Sequence, residues 1–182
     1  VCLTFDDGYA DNLAAVDPLL ESYGAKATLY LVEDRSGGWS SKKKAHHEDD
    51  ELQREPKLSD DQVRSMLASG RWELGGHTTT HANLSSLNDE QAFDEIAGAK
   101  KTFENSFGTE PMTFAYPFGI YSSRDINLVG KAGYLAAMTT ESGIESPDKW
   151  NLQELARVKA SGKDSLFSFK IRIKTGKRGF AK

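Results

Sequence analysis

Short apolar runs alternate with helix-length amphipathic patterns along most of this chain, and that alternation restricts its fold more than any other feature. Val1 to Phe5, Ala27 to Val32, "RWEL" at 71–74, "MTFAY" at 112–116, "YLAAMTT" at 134–140 and "LARVKA" at 155–160 read as strands. Between them lie helical patterns with their own punctuation. Asn12 to Tyr23 is stopped by Gly24, and Pro18 must either start that helix or kink it. Ser59 with Gln62, and Asn88 with Gln91, have the spacing of capping boxes, opening helices that end at Gly70 and at Phe107 before Gly108. The second of these carries Phe93, Ile96, Phe103 and Phe107 on one face. Arg124 to Ala132, closed by Gly133, and Ser165 to Lys174 complete the set. A helix after each strand returns the chain to the strand's starting end, so the pattern predicts a mainly parallel sheet, open or closed into a barrel. At 182 residues one domain, 1–182, accommodates it, with an inserted polar loop at about 33–57 that shows no periodicity.

Strand direction decides where chemistry can gather. Asp6 and Asp7 stand just past the first strand, His77 and His81 ("GGHTTTH") just past "RWEL", and "YPFG" at the end of "MTFAY". In a parallel sheet these C-terminal ends share one rim, where sites of α/β proteins are built. A carboxylate and two imidazoles there form a three-ligand metal set that leaves coordination positions for water and substrate. Spacing of i, i+4 suits both histidines on one side of a helical turn, while the preceding Gly75 and Gly76 and the three threonines suit a loop. Each piece alone is ordinary: Asp-Asp-Gly makes turns, and a single His-x-x-x-His arises by chance. His46 and His47 sit among acids in the polar insertion and read as solvated.

A net charge of −4 and a pI near 5.6 argue against a nucleic-acid partner, and no apolar run suits a transmembrane segment. No charged-then-apolar signal opens the chain, although a start inside a strand leaves room for a trimmed leader. The one cysteine, Cys2, reads as a small core residue.

In order and spacing, "TFDDG", "HTTTH" and "FAYPFG", with "KATLYLV", "WELGGHTTTHANLS" and "GYLAAMTT" around them, resemble the polysaccharide deacetylase family, the NodB-homology domain of the carbohydrate esterases. The resemblance runs from residue 1 to about 176. It implies an α/β fold, a deformed, partly open (β/α) TIM-like barrel with mainly parallel strands. It also implies a divalent metal, zinc before cobalt, nickel or iron, and hydrolysis of N-acetyl groups on a cell-surface or exported amino-sugar polysaccharide. Carried over by position, Asp7, His77 and His81 are the metal ligands and Asp6 the general base. The Phe118 backbone N–H becomes an oxyanion donor, Tyr116 and Pro117 a groove wall, and Thr78 a brace for the histidine loop. Trp39, in the insertion, is the expected sugar contact.

Three departures stand out. Ala115 occupies the place of an arginine that orients the catalytic acid, Phe118 replaces a tyrosine, and Leu155-Ala156-Arg157 replaces a Leu-x-His motif whose histidine is the general acid. An arginine stays protonated and makes a poor proton donor, so Asp6 is expected to carry the proton both ways or the enzyme to be slow. The alternative role for Arg157 is to orient Asp6 in place of the missing arginine. Rival readings are an amidohydrolase on a small amide or lipid-linked sugar, a carbohydrate-binding protein without catalysis, and a non-haem iron oxygenase with the same ligands. The presumed substrate implies an extracytoplasmic location, a cytoplasmic one staying open, and the sequence assigns no oligomeric state.

Overall fold

The computed structural model describes residues 1–36, 55–146, 148 and 150–177. Most of the insertion, with Trp39, His46 and His47, lies outside the described residues.

Five strands form one parallel sheet in the order of the chain: β1 (Leu3–Asp6), β2 (Ala27–Leu31), β3 (Trp72–Gly76), β4 (Thr113–Ala115) and β5 (Ala136–Met138). Each new strand adds beside its predecessor, so the sheet curls into a partly open, TIM-like half-barrel. The connecting helices are α1 (Asp17–Tyr23), α2 (Asp60–Ala68), α3 (Asp89–Phe107) and α4 (Ser123–Lys131), with α5 (Leu166–Thr175) after β5.

Local signals act where the sequence puts them. Ser59 and Gln62 cap α2 reciprocally, Asn88 and Gln91 cap α3, and Gly108 ends α3 in left-handed backbone. Pro18 divides the first helical stretch: Asn12–Val16 is a wide π-turn and the regular helix starts at Asp17. Proline has no N–H to bond back one turn, which disrupts the ladder at that junction.

The core has two parts, and α3 joins them. Phe103 packs with Leu29, Leu31, Leu58, Val63, Met66 and Leu74, while Ile96 packs with Leu84, Phe114, Val129, Tyr134 and Ala137. Phe93 and Phe107 are only partly buried beside these clusters.

Two expectations are corrected. Cys2 is exposed, because pairing of β1 starts at Leu3. Residues 155–160 form no strand. They touch β5 through a single Met138–Leu155 bridge, with Leu155 N–H donating to Ala137 O and Arg157 N–H to Glu141 O, both at 2.9 Å. The alternation in "LARVKA" serves a segment laid along β5, not a sixth ladder.

Register brings the site together. Asp6 pairs with Tyr30, Leu31 with Gly76, Gly76 with Phe114, and Ala115 with Met138. Asp7, His77 and Tyr116 are therefore the first residues beyond three strand ends on one rim.

Candidate metal centre

Gly75 and Gly76 belong to β3 rather than to a loop, and close packing explains them. A Cβ on Gly75 would lie 2.5 Å from the Tyr30 ring, and one on Gly76 would lie 2.2 Å from the Tyr134 hydroxyl. Only hydrogen fits, so β3 can deliver His77 tightly against the core, where it is buried. The chain from His77 to His81 then forms neither helix nor strand. Thr78 and His81 have φ of 67° and 57°, Asp7 has 76° and Phe118 has 60°; among the described residues these are the non-glycines with left-handed backbone. All four adjoin the rim. Such conformations cost about 1–3 kcal/mol each and persist only where surrounding contacts overdetermine them.

The donor atoms converge. His77 Nε2 lies 3.2 Å and His81 Nε2 3.3 Å from the same oxygen, Asp7 Oδ1. One ligand atom from each residue lies within 4.8 Å of the others. His77 Nδ1 is 2.6 Å from Ala115 O, and a carbonyl can only accept, so Nδ1 carries the proton. A neutral His77 then directs a lone pair from Nε2 at a carboxylate oxygen that also offers only lone pairs. Two such groups approach to hydrogen-bond distance only with positive charge between them, a proton or a metal cation. Tetrahedral coordination with bonds of about 2.1 Å separates donor atoms by roughly 3.4 Å. The donor set fits a divalent cation.

The electrostatics agree. Burial pushes the Asp7 carboxyl up, but the His77 hydrogen bond and the charges of His77, His81 and Lys57 outweigh it and bring the group down to about 2. Burial, then the charge of His77, lowers His81 to about 4. Burial also opposes charge on His77, yet the Asp7 hydrogen bond, the two aspartates and the Ala115 carbonyl raise its pKa overall. Without a metal, a proton on His77 would hold the ligands together.

Asp6 faces another partner. Arg157 grips it with both prongs, Nη1 to Oδ1 at 2.7 Å and Nη2 to Oδ2 at 2.8 Å. The guanidinium is itself aimed by Nε donating to Thr139 O at 3.0 Å and Nη1 to Thr4 Oγ1 at 3.2 Å. Phe118 packs its ring edge-on against His81, with centroids 4.4 Å apart. Tyr116 is no groove wall: its ring is 1 % exposed, stacked on Tyr121, and its hydroxyl donates to Gln153 O at 3.0 Å. Strand alternation turns this side chain into the core, and Pro117 is buried beside it. Nor does the Thr78 hydroxyl brace the loop, since among the described residues it has no hydrogen-bond partner; the Thr78 carbonyl accepts from Glu33 N–H instead.

Sequence reasoning missed the neighbours on the other side. Residues 56–58 run along 8–10, with Ala10 N–H donating to Pro56 O at 2.8 Å and Leu58 N–H to Gly8 O at 2.9 Å. This places Lys57 Nζ 3.2 Å from the centroid of the Tyr9 ring, and Tyr9 hydrogen bonds Asp7. Burial lowers Lys57 to about 8 against the pull of Asp7, Glu55 and Asp11. No motif surrounds Lys57, so no local signal could have pointed to it.

The chain has relatives among known proteins. The polysaccharide deacetylase family model matches residues 1–137. YxkH of Bacillus subtilis (strain 168), placed by its name among the polysaccharide deacetylases, is 33% identical over 161 residues, which cover 88% of this chain and 51% of that protein. Poly-beta-1,6-N-acetyl-D-glucosamine N-deacetylase of Staphylococcus aureus (strain MRSA252) is 22% identical over 156 residues, 81% of this chain and 50% of its own length. The solved structure of Streptococcus pyogenes deacetylase PplD in complex with acetate superposes with a TM-score of 0.71 and 25% identity, covering 86% of this chain and 62% of that one. The chain spans about half the length of the curated relatives it matches. Arg157 lies beyond the stretch that the family model matches.

Proposed function

This chain belongs to the polysaccharide deacetylase family, and from that premise we propose that it removes N-acetyl groups from an amino-sugar polysaccharide with a divalent cation held by Asp7, His77 and His81. The observation that carries the proposal is the meeting of these three donors, 3.2 and 3.3 Å apart, beside a second carboxylate with a different partner. Zinc suits two imidazoles and one carboxylate. The finer substrate, a β-1,6-linked N-acetylglucosamine polymer, is supported by the name of the staphylococcal relative. A polymer of that kind acts outside the cytoplasm, which is where we assign the protein.

The cation, once bound, would acidify a water molecule and polarise the acetamide carbonyl. The remaining work falls to this chain's own side chains. Asp6 takes the proton as the water oxygen bonds to the acetyl carbon. Arg157 holds both carboxylate oxygens through one lone pair each and leaves the others to receive that proton. The Phe118 backbone N–H, on its left-handed turn beside His81, donates to the carbonyl oxygen as negative charge develops there. When the C–N bond breaks, Asp6 returns the proton to the departing amine, because the guanidinium at 157 is too weak an acid to release one. The products are acetate and a free amino sugar.

Acetate release from N-acetylglucosamine polymers, with and without chelator, tests the reading. Activity should vanish on chelation and return with metal. Asp6→Asn should be inactive yet retain metal, while Asp7→Ala should lose it. Equal metal content in the two variants would refute the division between the acids, and chelator-resistant activity would refute the metal.

A further inference from the structure

His77 and His81 present their Nε2 atoms to one oxygen across a segment with no regular structure, strained at Thr78 and His81. Left-handed backbone is costly for a β-branched residue, so contacts outside the segment must hold this shape. On one side the chain after β2 does so. Glu33 N–H donates to Thr78 O at 3.2 Å and Asp34 N–H to Thr79 O at 2.7 Å.

Glu95, in the second turn of α3, holds the other side. Its carbonyl accepts from Thr79 N–H at 3.0 Å. Its carboxylate takes Thr80 at two points, Oε2 from the backbone N–H at 2.9 Å and Oε1 from Oγ1 at 2.8 Å. An ionised acceptor bonding both donors of one residue is the stronger, geometrically specific kind of hydrogen bond. The capped helix that carries Glu95 is anchored in both halves of the core through Ile96 and Phe103, so the grip is rigid.

We propose that Glu95 is a positioning residue of the metal centre: it locks the turn between His77 and His81 so that both imidazoles address Asp7. The inference rests on the reading that these three side chains bind a cation. It goes beyond it by assigning part of the affinity to a residue that touches neither cation nor substrate. Groups that orient metal ligands cost about 10–100-fold in affinity when removed.

Zinc affinity by chelator competition, the absorption spectrum of the cobalt-loaded protein, and thermal unfolding in excess chelator separate positioning from simple stabilisation. Glu95→Ala should bind zinc at least about tenfold more weakly and alter the cobalt spectrum. Glu95→Gln can keep both contacts, its amide oxygen accepting the N–H and its NH₂ donating to the Thr80 hydroxyl, and should recover most of the affinity. Thr80→Val, which loses one contact, should fall between. These differences should persist when variants are compared at temperatures where each is fully folded; should Glu95→Ala not fold, the other two variants carry the comparison. Zinc affinity within twofold of the parent for all three, with unchanged cobalt spectra, would overturn the proposal. If the unaltered protein takes up neither metal, it is the metal reading itself that fails, and this inference falls with it.

Discussion

Replacing Arg157 with methionine removes the bidentate grip on Asp6 while keeping most of the side-chain volume. Four bonds vanish: two to Asp6, one to Thr139 O and one to Thr4 Oγ1. Hydrogen bonds to charged groups contribute about 1.5–3 kcal/mol each. The Asp6 side chain is 31 % exposed, so water replaces part of the loss. Removing one partner of a fully buried ion pair costs about 3–5 kcal/mol. At this partial exposure the net cost is about 2–3 kcal/mol, which lowers the melting temperature of a chain this size by roughly 5–10 °C. Catalysis should suffer separately, because the freed carboxylate samples rotamers that cannot meet the attacking water. Misplacement of about 1 Å costs on the order of 100-fold in rate. In steady-state deacetylation, kcat should fall by about that factor with KM nearly unchanged, and added guanidinium ion should restore part of it. Arg157→Lys, a point charge without a fork, should fall between the two. Zinc content should stay at parent level, since no metal ligand is touched. A kcat within threefold of the parent for Arg157→Met would refute the argument that this arginine aims the base.

The metal-free protein should lose stability as pH falls from about 6.5 to about 4. His81 resists protonation in the folded state until about pH 4, whereas an unfolded histidine titrates near 6.5, so the unfolded chain binds the extra proton across that window. The slope is about 1.4 kcal/mol per pH unit for one proton; the raised His77 acts above this window, because both states hold its proton below about 6.5. Urea midpoints should show the slope in the parent, and His81→Gln should lack that component; identical slopes would contradict it. Gly76→Ala should destabilise by about 1–3 kcal/mol, through overpacking against Tyr134. Tyr134→Phe removes the atom 2.2 Å from the new methyl and should relieve part of the loss. Strict additivity in that double-mutant cycle would show that the clash is elsewhere.

Much of the site was legible because its signals are local or follow from strand polarity. The capping boxes at Ser59 and Asn88 need only four residues each, and both form. The convergence of Asp7 with His77 required only that β1 and β3 run parallel. Where the sequence misled, a longer-range contact decided. The alternation at 155–160 resembles a strand, but those residues join β5 through one bridge only. Tyr116 carries a polar tip suited to a groove, yet Gln153 O satisfies it inside the core. Gly75 and Gly76 suggested a loop, but they make room for Tyr30 and Tyr134 within a strand.

By itself, then, the amino-acid order determined the layers, the shared rim and the kinds of side chain on it, because hydrophobic period and capping act over a few residues. Tertiary structure alone decided how the rim is aimed. Glu95 grips Thr80 across 15 positions with no motif to signal it, whereas the Arg157 contact with Asp6, across 151, is already expected from the motif position of Arg157. Left-handed backbone at Asp7, Thr78, His81 and Phe118 opposes each residue's local preference. Only contacts made once the sheet has assembled can offset that strain, so no window of sequence could announce it.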